Sequence, residues 1–320
     1  MAEPAPNAIG GYFGLELPVG REPWHRGALA VNSGRNALRC LLEAVRPSRV
    51  HLPVFTCEAV PATVAALGIP ASFYRIDEAF EPRLDAAAGV DDGAVVLYTN
   101  YFGLKSRCAQ ALAARGVRLI LDNAQAYFAP PVGTVGSFCS PRKFFGVPDG
   151  GYAHGPAVPP ATRDASSARA EHLLLRHDVS AQAGYAAYQA NERRLVDLPP
   201  MAMSGLTERL LASIDHAAVI DQRRRNFRQL HEALRSSNAL CLDVDDEAVP
   251  LSYPYLGRDP ALRERLQAQN VFTACYWPDV LRSAAPASLE HHYASRIVHL
   301  PVDQRYGAAD MQRVLSLTLS

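Results

Sequence analysis

Between residues 28 and 122 the sequence alternates short apolar runs with stretches of helical periodicity, a pattern that few folds accommodate. Runs at 28–31, 50–53, 71–76, 94–99 and 118–121 have the length of strands. Residues 35–45 place Ala37, Leu38, Leu41, Leu42 and Val45 on one helical face, residues 58–67 form a second helix ended by Gly68, and residues 107–114 a third. Strands joined by helices imply an α/β protein with a mainly parallel sheet covered on both faces. In such sheets ligands collect beyond the carboxyl ends of the strands. That rule gathers Ser33-Gly34-Arg35-Asn36 after the first strand, Asn100-Tyr101-Phe102-Gly103 after the fourth, and Asp122-Asn123-Ala124-Gln125 after the fifth.

The 320 residues suffice for two domains at roughly one per 150 residues. Residues 1–204 read as a large domain preceded by an arm. That arm, 1–27, is rich in Gly and Pro, and its Gly10-Gly11-Tyr12-Phe13-Gly14 lacks the preceding strand of a dinucleotide fingerprint. Residues 156–200 enclose a polar helical stretch, with Tyr185, Tyr188, Asn191 and Glu192, between prolines, as a lid or subunit contact would. A single long helix is expected over 205–234, carrying Arg223-Arg224-Arg225 and Arg228 into a smaller α+β unit that completes a second domain, 205–320. There, 250–256 and 296–300 read as strands and 260–269 and 308–317 as helices, with His291-His292 in a polar loop.

Lys and Arg total 32 against 32 Asp and Glu, so no net field draws the chain to nucleic acid or an anionic membrane. No apolar run reaches the ~18 residues that span a bilayer, and residues 1–11 lack the basic start and apolar middle of a signal peptide, so a cytoplasmic protein is expected. Six scattered cysteines without a C-x-x-C pair point to neither zinc nor a disulfide framework.

Only two of the 32 cations are lysines, Lys105 and Lys143, and arginine supplies the rest. Arginine does not deprotonate in a protein, whereas a lysine in a partly desolvated pocket condenses with an aldehyde. Lys143 therefore reads either as a solvated loop lysine or as the amine of an internal Schiff base, most often with pyridoxal phosphate. The paired Gly150 and Gly151 would let the backbone pass close to a bound ring. Asp122 ends an apolar strand, where a carboxylate either caps the next turn or holds the proton on a pyridine nitrogen. Gln125 follows three residues on, facing the cofactor's phenolic oxygen or merely a helix surface. Ser33 to Asn36 opens a helix whose free amides suit a phosphate, although ordinary capping by Ser33 explains the same letters. Ser137 and Ser140 offer hydroxyls, and Tyr101 and Phe55 are candidates to stack on a ring.

Taken in order, these segments resemble the DegT/DnrJ/EryC1/StrS family of pyridoxal-phosphate-dependent sugar aminotransferases, which have the aspartate-aminotransferase type I fold. Asn32 to Leu38 is similar to the family's S-G-T-x-A-L phosphate loop, which carries over Gly34, Arg35 and Asn36. Leu121 to Ala126 is similar to its E-D-A-A-Q-A element, giving Asp122 the ring-nitrogen role and Gln125 the ring-face or phenolate role. Ser137-Phe138 through Lys143 to Gly150-Gly151 is similar to its S-F-x-x-x-K-x-x-x-x-x-E-G-G segment, making Lys143 the Schiff-base lysine, with Ser137 upstream as a candidate cofactor-binding hydroxyl for the phosphate. Arg35 stands where the family has Thr, Asp149 where it has Glu, and 199–204 reads Pro-Pro-Met-Ala-Met-Ser where it has G-x-N-x-R-M. The resemblance implies a homodimeric transferase that moves an amino group from an amino acid to a keto group of a nucleotide-linked sugar, with no metal. Two other readings share these residues: the same fold and cofactor performing elimination or dehydration, and a non-catalytic binding or regulatory protein with an altered site.

Overall fold

The computed structural model describes residues 9–18, 20–84 and 93–320; the first eight residues of the expected arm lie outside them. Eight strands form one sheet: β1 (Leu29–Val31), β2 (Arg49–Pro53), β3 (Ala71–Ile76), β4 (Pro82–Arg83), β5 (Ala94–Thr99), β6 (Leu119–Asp122), β7 (Gly136–Cys139) and β8 (Gly151–His154). Their spatial order is β1-β8-β7-β6-β5-β2-β3-β4. The strands from β7 to β3 are parallel. β5, at the middle, is buried at every position and shows the continuous apolar run of a strand covered on both faces.

At one edge the order departs from simple alternation. β8 pairs antiparallel with β7, and β1 antiparallel with β8. β1 thus runs in the same direction as β7, and Ser33 at its end meets the carboxyl end of β7. Glycine makes this possible, since a Cβ on Gly151 would stand 2.3 Å from the Ser33 carbonyl oxygen. The Gly150 amide donates to the Asn32 carbonyl at 2.8 Å. Of the glycine pair expected to admit a ring, Gly151 admits the Ser33-Gly34 backbone and Gly150 the Pro141 side chain.

Helix α1 (Gly34–Val45) buries Ala37, Leu38, Leu41 and Leu42 against Leu97, Ile120 and Phe138 of the sheet. α2 (Ala59–Ala66) adds Val60 and Val64 to the same layer. α3 (Ser106–Ala114) covers the opposite face, where Ala109 and Leu112 join Tyr98 and Leu121. A helical pair, α4 (Glu171–Asp178) and α5 (Tyr185–Asp197), follows the sheet.

The single helix expected over 205–234 is two, α6 (Gly205–Ala212) and α7 (His216–Leu234). The chain stops between them because the Ser213 hydroxyl bonds back to the Leu210 carbonyl at 2.7 Å and Asp215 caps α7 by accepting from the Ala218 amide at 3.1 Å. The remainder comprises β9 (Ser252–Tyr255) antiparallel to β10 (Val298–Pro301), with α8 (Leu262–Ala268), α9 (Val280–Ser283), α10 (Leu289–Arg296) and α11 (Ala308–Leu319). His291 and His292 lie on α10, where Ser288 caps the helix, and not in a loop. One hydrophobic cluster runs from Tyr98 on the sheet and Phe55 just past β2 through Phe227 and Leu230 of α7 to Tyr253 and Leu300. Among the described residues no helix is long and apolar enough to cross a membrane, and no His, Cys, Asp or Glu cluster could hold a metal.

Candidate active site

β6 delivers Asp122 to the carboxyl edge of the sheet, in register with Thr99 of β5 and Phe138 of β7. The side chain is 4% exposed, and among the described residues its carboxylate accepts one hydrogen bond, from the Ala124 amide at 2.8 Å. Burial pushes its pKa up to about 6, while the Ala124 amide and the charge of Lys143 pull it back. Asp122 and Lys143, 21 residues apart in sequence, therefore share one electrostatic neighbourhood.

Lys143 closes a short 3-10 turn, Pro141–Lys143, that follows β7. Its side chain is exposed, and its amine lies 5.6 Å from the ring centre of Tyr276, over the face. Among the described residues the partly desolvated pocket expected around this amine is not closed: Lys143 is exposed, with Tyr276 from the C-terminal unit reaching over it. The turn beneath is firmly held. Arg142 pairs with Glu192 of α5, and Asn191 of α5 donates to the Pro148 carbonyl at 2.8 Å. Asp149, fully buried, accepts from the Ser204 amide at 2.9 Å, the Ser204 hydroxyl at 2.7 Å and the Thr207 hydroxyl. The segment 199–204 is thereby tied to the lysine loop through an acid one methylene shorter than glutamate.

Gln125 is buried beside Asp122. Its Oε1 accepts from the Phe102 amide at 2.9 Å, and its Nε2 has no partner among the described residues. Phe102 holds a left-handed backbone at φ 60°, and a Cβ on Gly103 would meet the Val249 and Gln125 carbonyls at 2.8 and 3.0 Å. The turn after β5 thus packs directly on the turn after β6. Phe102, His299 and Tyr276 then form an aromatic row, with ring centres 4.9 and 4.4 Å apart. Burial lowers the His299 pKa to about 3, so this imidazole is neutral at physiological pH. A cavity of about 90 Å³ lined by Gly103, Ala126, Phe128 and Val249 includes neither Asp122 nor Lys143 in its walls.

At the start of α1 the Ser33 hydroxyl accepts from the Asn36 amide at 3.1 Å. Gly34 falls in the parallel bridge that joins Ser33 to Gly150, so its amide is spent on the Gly150 carbonyl, and the Arg35 amide stands in the open first turn of α1. Gly34 packs against the turn to Lys143, where a Cβ would be 3.2 Å from that of Ser140. The partly exposed Arg35 guanidinium has no ion-pair partner among the described residues. Asn36 is committed elsewhere, its amide nitrogen donating to Asn32 Oδ1 at 2.8 Å and to the Leu198 and Pro199 carbonyls at 3.1 Å. Ser137 sits within β7 and, by strand alternation, shares a face with Cys139, whereas Ser140 borders Gly34.

Asp122, Gln125, Lys143 and the Gly34–Arg35 amides thus lie along one edge of the sheet, while the Asn36 side chain is spent on internal structure. Tyr101 and Phe55 stack on each other in the core at 5.7 Å, and the Tyr101 hydroxyl donates to the Phe55 carbonyl at 2.8 Å, which excludes both as platforms for a ring. Sequence reasoning missed Tyr276 and His299, which arrive from more than 130 residues beyond Lys143. The only local signal at Tyr276 is its place beside Trp277-Pro278.

The donor set suits the two ends of pyridoxal phosphate. A buried carboxylate with an unused oxygen calls for a cationic N–H such as a pyridinium, and the orphaned Gln125 Nε2 calls for an acceptor. The Arg35 amide in the first turn of α1, with an arginine side chain that has no ion pair among the described residues, suits a phosphate.

No family model matches the chain, and no curated protein matches it. Solved structures do. A DegT DnrJ EryC1 StrS aminotransferase from Brucella abortus is 20% identical, with 91% of this chain and 85% of that one covered at a TM-score of 0.60. DesV of S. venezuelae, solved with a ketimine intermediate, is 20% identical over 91% and 83%, TM-score 0.60. DesI, solved in the presence of its TDP-sugar product, is 23% identical over 91% and 79%, TM-score 0.62. The chain has the fold of these aminotransferases.

Proposed function

We propose that this chain is a pyridoxal-phosphate-dependent aminotransferase that moves an amino group from an amino acid to a keto group of a nucleotide-linked sugar, working as a cytoplasmic homodimer. The observation that carries the proposal is the buried Asp122 carboxylate within the field of Lys143, beside the unpaired Gln125 amide. The fold shared with DesV and DesI supports the substrate class, since those proteins were solved with a ketimine and a TDP-sugar.

When bound, pyridoxal phosphate supplies an aldehyde that condenses with amines and a ring that delocalises negative charge. Lys143 would supply the amine that holds this group and the base and acid that carries a proton to and from the substrate's α-carbon. Asp122 would hold a proton on the ring nitrogen, its burial making it a ready partner for a cationic N–H. Gln125 donates through Nε2. The Arg35 amide and guanidinium and the Ser140 hydroxyl, with Gly34 giving close backbone approach, would hold the phosphate, Arg35 standing in for a hydroxyl. Of the other phosphate candidates, Asn36 acts by fixing segment 198–199 and Ser137 lies further down its strand.

A second subunit completes the site by covering the exposed Lys143. The arm residues Ile9, Tyr12, Phe13 and Leu15 and the α4–α5 residues Leu174, Val179 and Tyr185 support this, because all are exposed and apolar or aromatic. The division into a large domain, 1–204, and a smaller one, 205–320, belongs to the same reading.

The test is spectroscopic. Purified protein mixed with pyridoxal phosphate develops a visible absorbance band, Lys143→Ala does not, and glutamate bleaches the band with release of 2-oxoglutarate. A band that glutamate leaves unchanged favours elimination or a binding role. No band at all refutes the proposal.

A further inference from the structure

Among the described residues Arg223 is the largest fully buried side chain, 1% exposed, and no carboxylate lies within ion-pairing distance of it. Asp303, the acid whose charge acts on it, is engaged by Arg305 at 2.6 Å. A buried guanidinium without a counter-ion is costly, and an apolar side chain of similar volume would fill the space at less cost. What the charge does here is visible in its partners. Nε donates to Gln304 Oε1 at 2.9 Å, Nη1 to the Pro250 and Leu251 carbonyls at 3.1 and 3.3 Å, and Nη2 to the Phe144 carbonyl at 3.4 Å. Gln304 Nε2 donates to the same Phe144 carbonyl at 2.9 Å, and the guanidinium lies 4.4 Å over the Phe144 ring.

Phe144 is the residue after Lys143. The lysine side chain has no hydrogen bond of its own among the described residues, so the position of its amine is inherited from the backbone on either side. Arg142 and Pro148 are held from α5. Phe144 is held from α7 and from the segment after β10, through Arg223 and Gln304. We infer that Arg223, braced by Gln304, is a positioning residue for Lys143: it locks the Phe144 peptide and ring and so sets where the amine stands. This rests on the aminotransferase reading for its consequence in catalysis, though not for its geometry.

The near absence of lysine makes the inference measurable without cofactor. Protein labelled with ¹³C at the lysine ε-carbon gives two signals, from Lys105 and Lys143, and the Tyr276 ring displaces the second. In Arg223→Met and in Gln304→Ala the Lys143 signal moves toward that of a free lysine, while Lys105 and the far-UV circular dichroism stay as in the parent. With pyridoxal phosphate bound, the same variants transfer the glutamate amino group about 10- to 100-fold more slowly, with the glutamate KM nearly unchanged, as expected for a displaced catalytic amine. Should Arg223→Met not fold, Gln304→Ala decides, since it removes one of the two donors to Phe144 and the acceptor of Arg223 Nε. Folded variants whose Lys143 signal and transfer rate match the parent overturn the inference. A parent protein that forms no Lys143-dependent absorbance refutes the functional reading alone, and the ¹³C shifts still decide the role of Arg223.

Discussion

Replacing Asp122 with Asn should make the cofactor-free protein more stable while abolishing its chemistry. The carboxyl has an ordinary pKa of 3.8 when unfolded and one of about 6 when folded, raised chiefly by burial. Between those values the folded state keeps a proton that the unfolded chain gives up, so stability falls as pH rises through the window and stays reduced above it. At 1.36 kcal/mol per pH unit, the deficit above about pH 7 is on the order of 3 kcal/mol. Asn carries no charge to desolvate, and its carbonyl still accepts from the Ala124 amide that Asp122 meets at 2.8 Å. The assay is urea unfolding of both proteins without pyridoxal phosphate at a series of pH values. The Asn variant gains about 3 kcal/mol near pH 8, and the gain shrinks to nearly nothing below about pH 4. Taking the difference removes every other titrating group that behaves alike in both. With saturating pyridoxal phosphate the order inverts, because the parent alone draws the full stabilisation of binding. A variant less stable than the parent near pH 8, or a difference that does not change with pH, refutes the placement of Asp122 as a strained, unsatisfied anion.

His25 and His299 act in the opposite sense: burial lowers both to about 3, so below pH 6.5 the unfolded chain takes up protons the folded state refuses, and stability is lost as pH falls. His25→Gln should flatten part of that acid limb in the same unfolding series. Gly151→Ala should cost ~3 kcal/mol, because its methyl would meet the Ser33 carbonyl oxygen at 2.3 Å and neither strand can yield cheaply. Asp149→Ala should cost a similar ~3 kcal/mol by leaving the Ser204 amide and the Ser204 and Thr207 hydroxyls without their acceptor, and thermal unfolding would show it. Sedimentation of the intact protein should give twice the chain mass, and Phe13→Asp with Leu174→Asp should shift it toward the monomer.

What could be read from the chain, and what could not, follows from the range of the forces involved. The strands and helices read between 28 and 122 are set by local periodicity, and their bounds in the structure differ by a residue or so at each end, while the two-residue β4 had no pattern to read. Asp122 and Lys143 were conspicuous because each is an anomaly where it stands, a carboxylate closing an apolar strand and a lysine in an arginine protein. β8 was invisible, since a four-residue strand opening on glycine has no pattern of its own; its place comes from the Ser33 backbone, which only a bare glycine can approach. The break at Ser213 was hidden for a related reason, as Ser and Asp are unremarkable within a helix until their side chains are seen bonding to the backbone. Arg223 shows the limit most clearly. In the sequence it is one of three consecutive arginines, and Arg224 and Arg225 reach the outer face, where Arg224 meets Glu247. One helical step inward, the same residue type becomes a buried cation whose acceptors come from residues 144, 250, 251 and 304. Composition supplies the charge, but the tertiary fold alone decides that this charge is spent on the peptide next to the reactive amine. If that is so, mutating Arg224 or Arg225 should leave the Lys143 environment untouched while mutating Arg223 alters it, a contrast between neighbours that no reading of net charge or helix pattern would produce.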